Sequence, residues 1–181
     1  MTLDVLTWPV HGAYMRSLSH VPVQWHVPVA PGRLGYGGRG AGWTDRVVEV
    51  PIDELPDRNF DVIVYQHHQH YLTDRWTVLS DWQRTTPAIV LEHDPPRMSP
   101  TDTVHPVTDP GVTVVHVTPF NALMWDTRVP FVVIDHGVDV PEGVGSLARE
   151  QGIVVINDLA TRGRRLGWDV FVEARRRLPL E

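Results

Sequence analysis

Short apolar runs rich in valine and isoleucine recur at residues 3–7, 25–29, 47–50, 62–65, 88–91, 112–117 and 131–134, each ending in a polar or glycine-bearing loop. They are too short for helices, and their hydrophobicity is nearly continuous rather than alternating. Strands of that kind are buried on both faces, as in a parallel sheet flanked by helices. Segments 13–19, 73–84 and 120–126 supply candidate helices between them. Several connections are too short for full helices, so some crossovers should be abbreviated. The sum is an α/β fold: a Rossmann-like, doubly wound parallel sheet.

The pattern changes after the seventh run. Residues 129–139, VPFVVIDHGVD, form a strand that delivers His136 and Gly137 at its end. A charged, glycine-containing stretch follows over 141–152. A fresh apolar run at 153–156 then opens into a loop and the amphipathic segment GWDVFVEARRRLP. One strand and one helix cannot bury a core on their own. The expected organisation is a Rossmann-like domain over 1–140, a linker over 141–152, and the first strand and helix of an incomplete second domain over 153–181.

Composition narrows the functional classes. With 181 residues, 42% of them hydrophobic, the chain can bury one α/β core of ordinary size. The absence of cysteine excludes a disulfide scaffold, a thiolate metal site and a cysteine nucleophile. All 16 basic residues are arginine, scattered until Arg162, and the net charge is −6, so no basic face for nucleic acid is expected. The N-terminal MTLDVLTWP enters a strand without a cationic segment or a long apolar stretch. No run approaches the roughly 18 apolar residues of a membrane span. A soluble, cytoplasmic protein is expected, with peripheral contact as its closest approach to a membrane.

In doubly wound sheets, ligands sit beyond the carboxyl ends of the strands. The residues just past the expected strands here are Trp8-Pro9-Val10-His11-Gly12, Gln66-His67-His68-Gln69-His70, Glu92-His93-Asp94-Pro95-Pro96-Arg97, Thr118-Pro119-Phe120-Asn121 and Asp135-His136-Gly137. Histidines therefore crowd one rim. Neutral imidazoles are metal ligands in kind. On an extended chain, however, only His68 and His70 share a side, and a third ligand would have to come from His93 or Asp94. A polar ligand-binding or solvated loop is the other reading. Two consecutive prolines fix the backbone after His93 and Asp94 and hold both at the strand end. That is either a functional placement or a turn-forming pair. The glycine-rich PGRLGYGGRGAGW is followed by Trp43-Thr44-Asp45-Arg46 and a strand rather than a helix, so it is not a dinucleotide fingerprint. Its amides, with Arg33 and Arg39, could cover a phosphate; a surface loop is the plainer reading.

The order of these motifs, with VTVVHVTPFNALMWD, FVVIDHGVDV and GIVVINDLATRGRRLGWDVFVEARRRLP, resembles the family 4 glycosyltransferases of the GT-B fold. The family's V-I-P-N-G-V-D motif is matched by Val133-Ile134-Asp135-His136-Gly137-Val138-Asp139, and its G-x-D-x-L-x-E-A helix by Gly167-Trp168-Asp169-Val170-Phe171-Val172-Glu173-Ala174. Thr118 and the segment after it match the serine or threonine and helix that follow the family's second-last strand. The match is good from Val112 onward and weak before it. The resemblance implies a two-domain enzyme that moves a sugar from a nucleotide-sugar donor to a sugar, lipid or small-molecule acceptor, with retention of configuration and without a metal or other cofactor. This chain would be the acceptor-binding domain plus the start of the donor domain, inactive alone because the paired donor-holding glutamates fall past Glu181.

Carried over by position, His93 faces both sugars and is the catalytic candidate. His11, Gln66, His67, Asp94 and Thr118 fall on the acceptor side. Gly12, His136, Gly137, Arg162, Arg164 and Arg165 fall on the donor side. The family's arginine after the first donor-domain strand is Asp158 here, and its lysine before the helix glycine is Leu166. Arg162, Arg164 or Arg165 would then supply the positive charge that stabilises the departing diphosphate. Two other functions fit the same residues. One is a Rossmann-like metal-dependent hydrolase with His67, His68, His70, His93 and Asp94 as ligands. The other is a non-catalytic carbohydrate- or nucleotide-binding domain.

Overall fold

In the computed structural model the seven apolar runs form seven strands of one sheet: β1 Asp4–Thr7, β2 Gln24–Val29, β3 Val47–Pro51, β4 Val62–Tyr65, β5 Ala88–Glu92, β6 Val112–His116 and β7 Phe131–Val133. Every neighbouring pair is parallel, in the order β3-β2-β1-β4-β5-β6-β7. The chain steps outward from β1 to β3, returns past β1, and proceeds from β4 to β7 on the other side. That reversal opens a crevice at the carboxyl ends of β1 and β4, where sheets of this kind bind ligands. The structure describes residues 2–33, 35–97, 102–137, 143 and 150–180, without the side chain of Arg165. It divides into two units, Met1–Val138 and Asp139–Glu181.

Successive strand residues point to opposite faces, and in the central strands both directions are buried. Leu6, Ile63, Val90 and Val114 join one core cluster, with Trp8 and Tyr65. Val5, Val64, Leu91 and Val115 join the other, with Met15, Trp25 and Trp43. This two-sided burial is why the runs are continuously apolar. The edge strand β7 departs from it: Phe131, Val132 and Val133 are all exposed, because a strand with one neighbour can be apolar without being covered.

Helix α1 spans Gly12–Leu18, close to the expected segment. The middle helix does not run over 73–84. It begins as a π turn at His70–Asp74, continues as α2 over Arg75–Val78, and stops where Leu79 turns extended; a separate 3₁₀ turn follows at Gln83–Thr85. Buried Gln83 is the reason the chain doubles back. Its amide donates to the carbonyls of Leu55 at 2.8 Å and Arg58 at 2.7 Å, and its Oε1 accepts from the Ser80 N–H at 2.9 Å. Gln83→Ala leaves the Arg58 carbonyl and the Ser80 N–H without these partners, while the Leu55 carbonyl keeps the Arg58 N–H at 3.2 Å, and should cost about 2 kcal/mol in urea unfolding.

Helix α3, Pro119–Met124, starts with Pro119 in its first turn and Thr118 as N-cap, whose Oγ1 accepts from the Asn121 N–H at 3.0 Å. Thr118→Ala should lower stability by about 1 kcal/mol, read as a shift in the denaturation midpoint.

In the second unit no described residue is buried. The strand expected at 153–156 does not form. Ile153 and Val155 are 77% and 82% exposed, and the nearest approach to a ladder is an isolated bridge between Gly152 and Leu180. An apolar run becomes a strand only where a neighbour offers a ladder of hydrogen bonds, and among the described residues of this unit the pairing stops at Gly152, whose N–H donates to the Pro179 carbonyl at 2.9 Å. Helix α4 spans Leu159–Arg162, a 3₁₀ turn covers Gly163–Leu166, and α5 spans Trp168–Arg175. Gly167, at the N-cap of α5, has φ of +82°, a left-handed conformation that glycine adopts without strain. Of the expected linker at 141–152, only Gly143 and residues 150–152 lie among the described residues, and Val138 and Asp139 lie outside them.

Candidate functional site

Beyond the carboxyl ends of β1, β4 and β5 lies a cavity of about 470 Å³. The loop after β1 contributes His11; the one after β4 contributes Gln66, His67 and His68; the end of β5 contributes Glu92, His93, Asp94 and Arg97, and Trp125 closes one side. The rim expected from sequence is thus assembled around the topological reversal.

His93 sits at the centre of a group of rings. It meets His11 edge-on at 5.2 Å and Tyr14 at 4.7 Å, and it stacks on His136 at 6.2 Å. Burial, reinforced by repulsion from the His11 and His136 rings, carries its pKa down to about 4, so it is neutral at neutral pH. Its Nε2 is buried with no hydrogen-bond partner among the described residues. A buried polar atom left unpaired in a pocket wall calls for a ligand or water.

Gln66 is held from behind. Its amide lies 2.9 Å from both Thr7 Oγ1 and Met15 Sδ, and its Oε1 is buried and unpaired. Burial lowers the pKa of His67, whose Nδ1 accepts from the Gln69 N–H at 3.1 Å. Asp94 is fixed by its loop: its carbonyl accepts from Trp125 Nε1 at 2.9 Å and its carboxylate meets Arg97 at 3.1 Å.

The sequence reading missed Glu92 and His105 as site residues. Glu92 Oε2 is bonded by His68 Nε2 and by His105 Nε2, the latter at 3.1 Å, and Oε1 accepts from the Asp94 N–H at 3.1 Å. Burial alone would raise this carboxyl; the bonds from His105 and His68 overcome it and bring the pKa down to about 2. His105 arrives from the loop between β5 and β6, where its own N–H donates to the Asp126 carbonyl at 3.0 Å. A charge ending an otherwise apolar strand was a readable signal for Glu92. No spacing marks His105, because a long loop brings it in.

The ligand atoms of His68, Glu92 and His105 lie within 4.8 Å of one another, a set able in kind to hold a divalent metal. The hydrolase set of His67, His68, His70, His93 and Asp94 does not assemble as metal ligands among the described residues. His70 turns into the core instead, stacking on Trp8 at 5.3 Å with its Nε2 3.8 Å from Asp74. His70 opens the π turn, on the side of that turn that faces the core.

Other candidates take different places. Thr118 spends its hydroxyl on the α3 cap and does not line the cavity. Gly12 opens α1, and its carbonyl accepts from Trp43 Nε1 at 3.1 Å. His136 meets Tyr14 at 5.1 Å, and Gly137 is exposed. Within the second unit Arg162 is exposed and Arg164 lies 3.3 Å from Asp169; the Arg165 side chain is outside the described residues. No helix among the described residues is long and apolar enough to cross a membrane. Comparison with protein-family models, curated proteins and solved structures finds no match to this chain.

Proposed function

We propose that the first unit is the acceptor-binding lobe of a retaining glycosyltransferase of GT-B type that uses a nucleotide-sugar donor in the cytoplasm. The observation that carries this reading is His93: a neutral imidazole with an unpaired Nε2, set over the sheet reversal beside His11, Gln66, His67 and Asp94. A neutral group in such a pocket orients and polarises hydroxyls rather than neutralising an anion. In this reading Gly12, His136 and Gly137 of the first unit fall on the donor side, and the diphosphate charge is met by arginine rather than by His93.

The test is to express the protein from its whole reading frame and incubate it, in the presence of a chelator, with nucleotide sugars and hydroxylated acceptors. Mass spectrometry should show a glycosylated acceptor. No transfer in chelator, with hydrolysis that appears only when a divalent metal replaces the chelator, would overturn the reading. That hydrolase alternative has one observation behind it, the His68–Glu92–His105 set, and metal analysis of the purified chain separates the two.

A further inference from the structure

The hydrogen bonds around Glu92 fix where the protons of His68 and His105 sit. Glu92 is a carboxylate and can only accept. Each imidazole nitrogen facing its Oε2, His68 Nε2 and His105 Nε2, must therefore carry a hydrogen. For His105 a second bond gives the same answer independently: the Val107 N–H donates to its Nδ1 at 3.2 Å, so that nitrogen holds a lone pair and the proton is on Nε2. A metal ion bound by His105 Nε2 would need the proton moved to Nδ1, where it would point at the Val107 N–H, and one buried donor would lose its partner.

With Nε2 committed to Glu92, a neutral His68 is left with a lone pair on Nδ1. The His68 side chain is 30% exposed and lines the cavity, and no group among the described residues bonds its Nδ1. The adjacent His67 is set the other way. Its Nδ1 accepts from the Gln69 N–H, so the neutral ring presents an Nε2–H. The two rings stand 6.3 Å apart. The pocket therefore offers a bare acceptor beside a donor, which matches a ligand whose neighbouring hydroxyls each give and take a hydrogen bond.

We infer that the His68–Glu92–His105 cluster is a proton-ordering device rather than a metal centre: His105 and Glu92 hold His68 with its Nδ1 lone pair turned to a hydroxyl of a polyhydroxylated ligand, and His67 donates to a neighbouring hydroxyl. That this ligand is a sugar acceptor rests on the proposed function; the arrangement of protons does not. Glu92 and His105 are positioning residues, and His68 is the group that meets the ligand.

Imidazole ¹⁵N spectra of the 181-residue chain at neutral pH, after chelator treatment, decide it. The expected result is protonated Nε2 and unprotonated Nδ1 for His68, His105 and His67, with Glu92→Gln releasing His68 to a tautomer mixture while Val107 still holds His105. A proton on His68 Nδ1 in the unaltered chain overturns the inference. So does stoichiometric uptake of added zinc that erases the Nε2–H signals of His68 and His105. Because these spectra need only the unaltered chain, a variant that fails to fold does not leave the question open. In the transfer assay, His68→Ala should lower kcat/KM for the acceptor about tenfold with donor KM unchanged, and His68→Asn, whose carbonyl can accept, should recover part of it. Unchanged kcat/KM in His68→Ala would remove His68 from ligand contact. If the unaltered enzyme transfers no sugar, the proposed function fails and the spectra still decide the proton arrangement.

Discussion

In the proposed sugar transfer, replacing His93 by alanine is expected to lower turnover by about 10²-fold or more, with little change in stability, the scale usual for a positioned polar group in a reacting site. The stability expectation follows from its surroundings. His93 is only partly buried, and its contacts are ring contacts with His11, Tyr14 and His136, with no bond to its Nε2. Deleting it removes no hydrogen bond that the fold makes at that atom. The catalytic expectation follows from the same atom, a nitrogen without a hydrogen-bond partner on a residue that lines the cavity. Its pKa of about 4 adds a sharper expectation: the factor lost should be the same at pH 6 and pH 8, since the imidazole is neutral at both. A loss that grows or shrinks over that interval would mean that a charged His93 takes part. Unchanged turnover would make it a turn residue before Pro95 and Pro96.

The sheet was legible because burial on both faces leaves a mark in every central strand: Val5 and Leu6, Ile63 and Val64, Val90 and Leu91, Val114 and Val115 each send one side chain into either core cluster. The rim was legible for a related reason. A parallel sheet delivers every strand's end to the same edge, so His11, Gln66, His67 and His93 had to be neighbours once the topology was known. What the sequence hid depends on contacts without periodicity. His70 shares a motif with His67 and His68, yet it opens the π turn and stacks on Trp8. His105 is brought to Glu92 by a loop anchored on Asp126. Ile153 and Val155 carry a strand-like pattern but lack the partner that would make it one.

Acidification from pH 7.5 to 4.5 is expected to destabilise the first unit by on the order of 5 kcal/mol, a large share of what a domain of this size holds in reserve. The cause is histidine buried in neutral form. Burial carries His70 and His116 down to about 4, and both are almost fully enclosed. For His70 the nearby Asp74 carboxylate pulls the other way and is outweighed. An unfolded histidine titrates near 6.5. Between these two values the unfolded chain binds protons that the folded chain refuses, so the unfolded state gains as pH falls. The stabilisation is fully present above about pH 6.5 and drains away toward pH 4. His93 adds to the slope by a smaller amount, since it is partly open to the pocket. Glu92 does not oppose the trend. Its pKa of about 2 gives stability that persists above the ordinary carboxyl range and is lost only on still stronger acidification. Urea midpoints at the two pH values measure the effect. His70→Phe, which keeps a ring stacked against Trp8 but cannot titrate, should visibly flatten the dependence. Equal midpoints at pH 7.5 and 4.5 in the unaltered chain would mean that these histidines accept protons inside the fold, and that the burial argument for a neutral His93 fails with them.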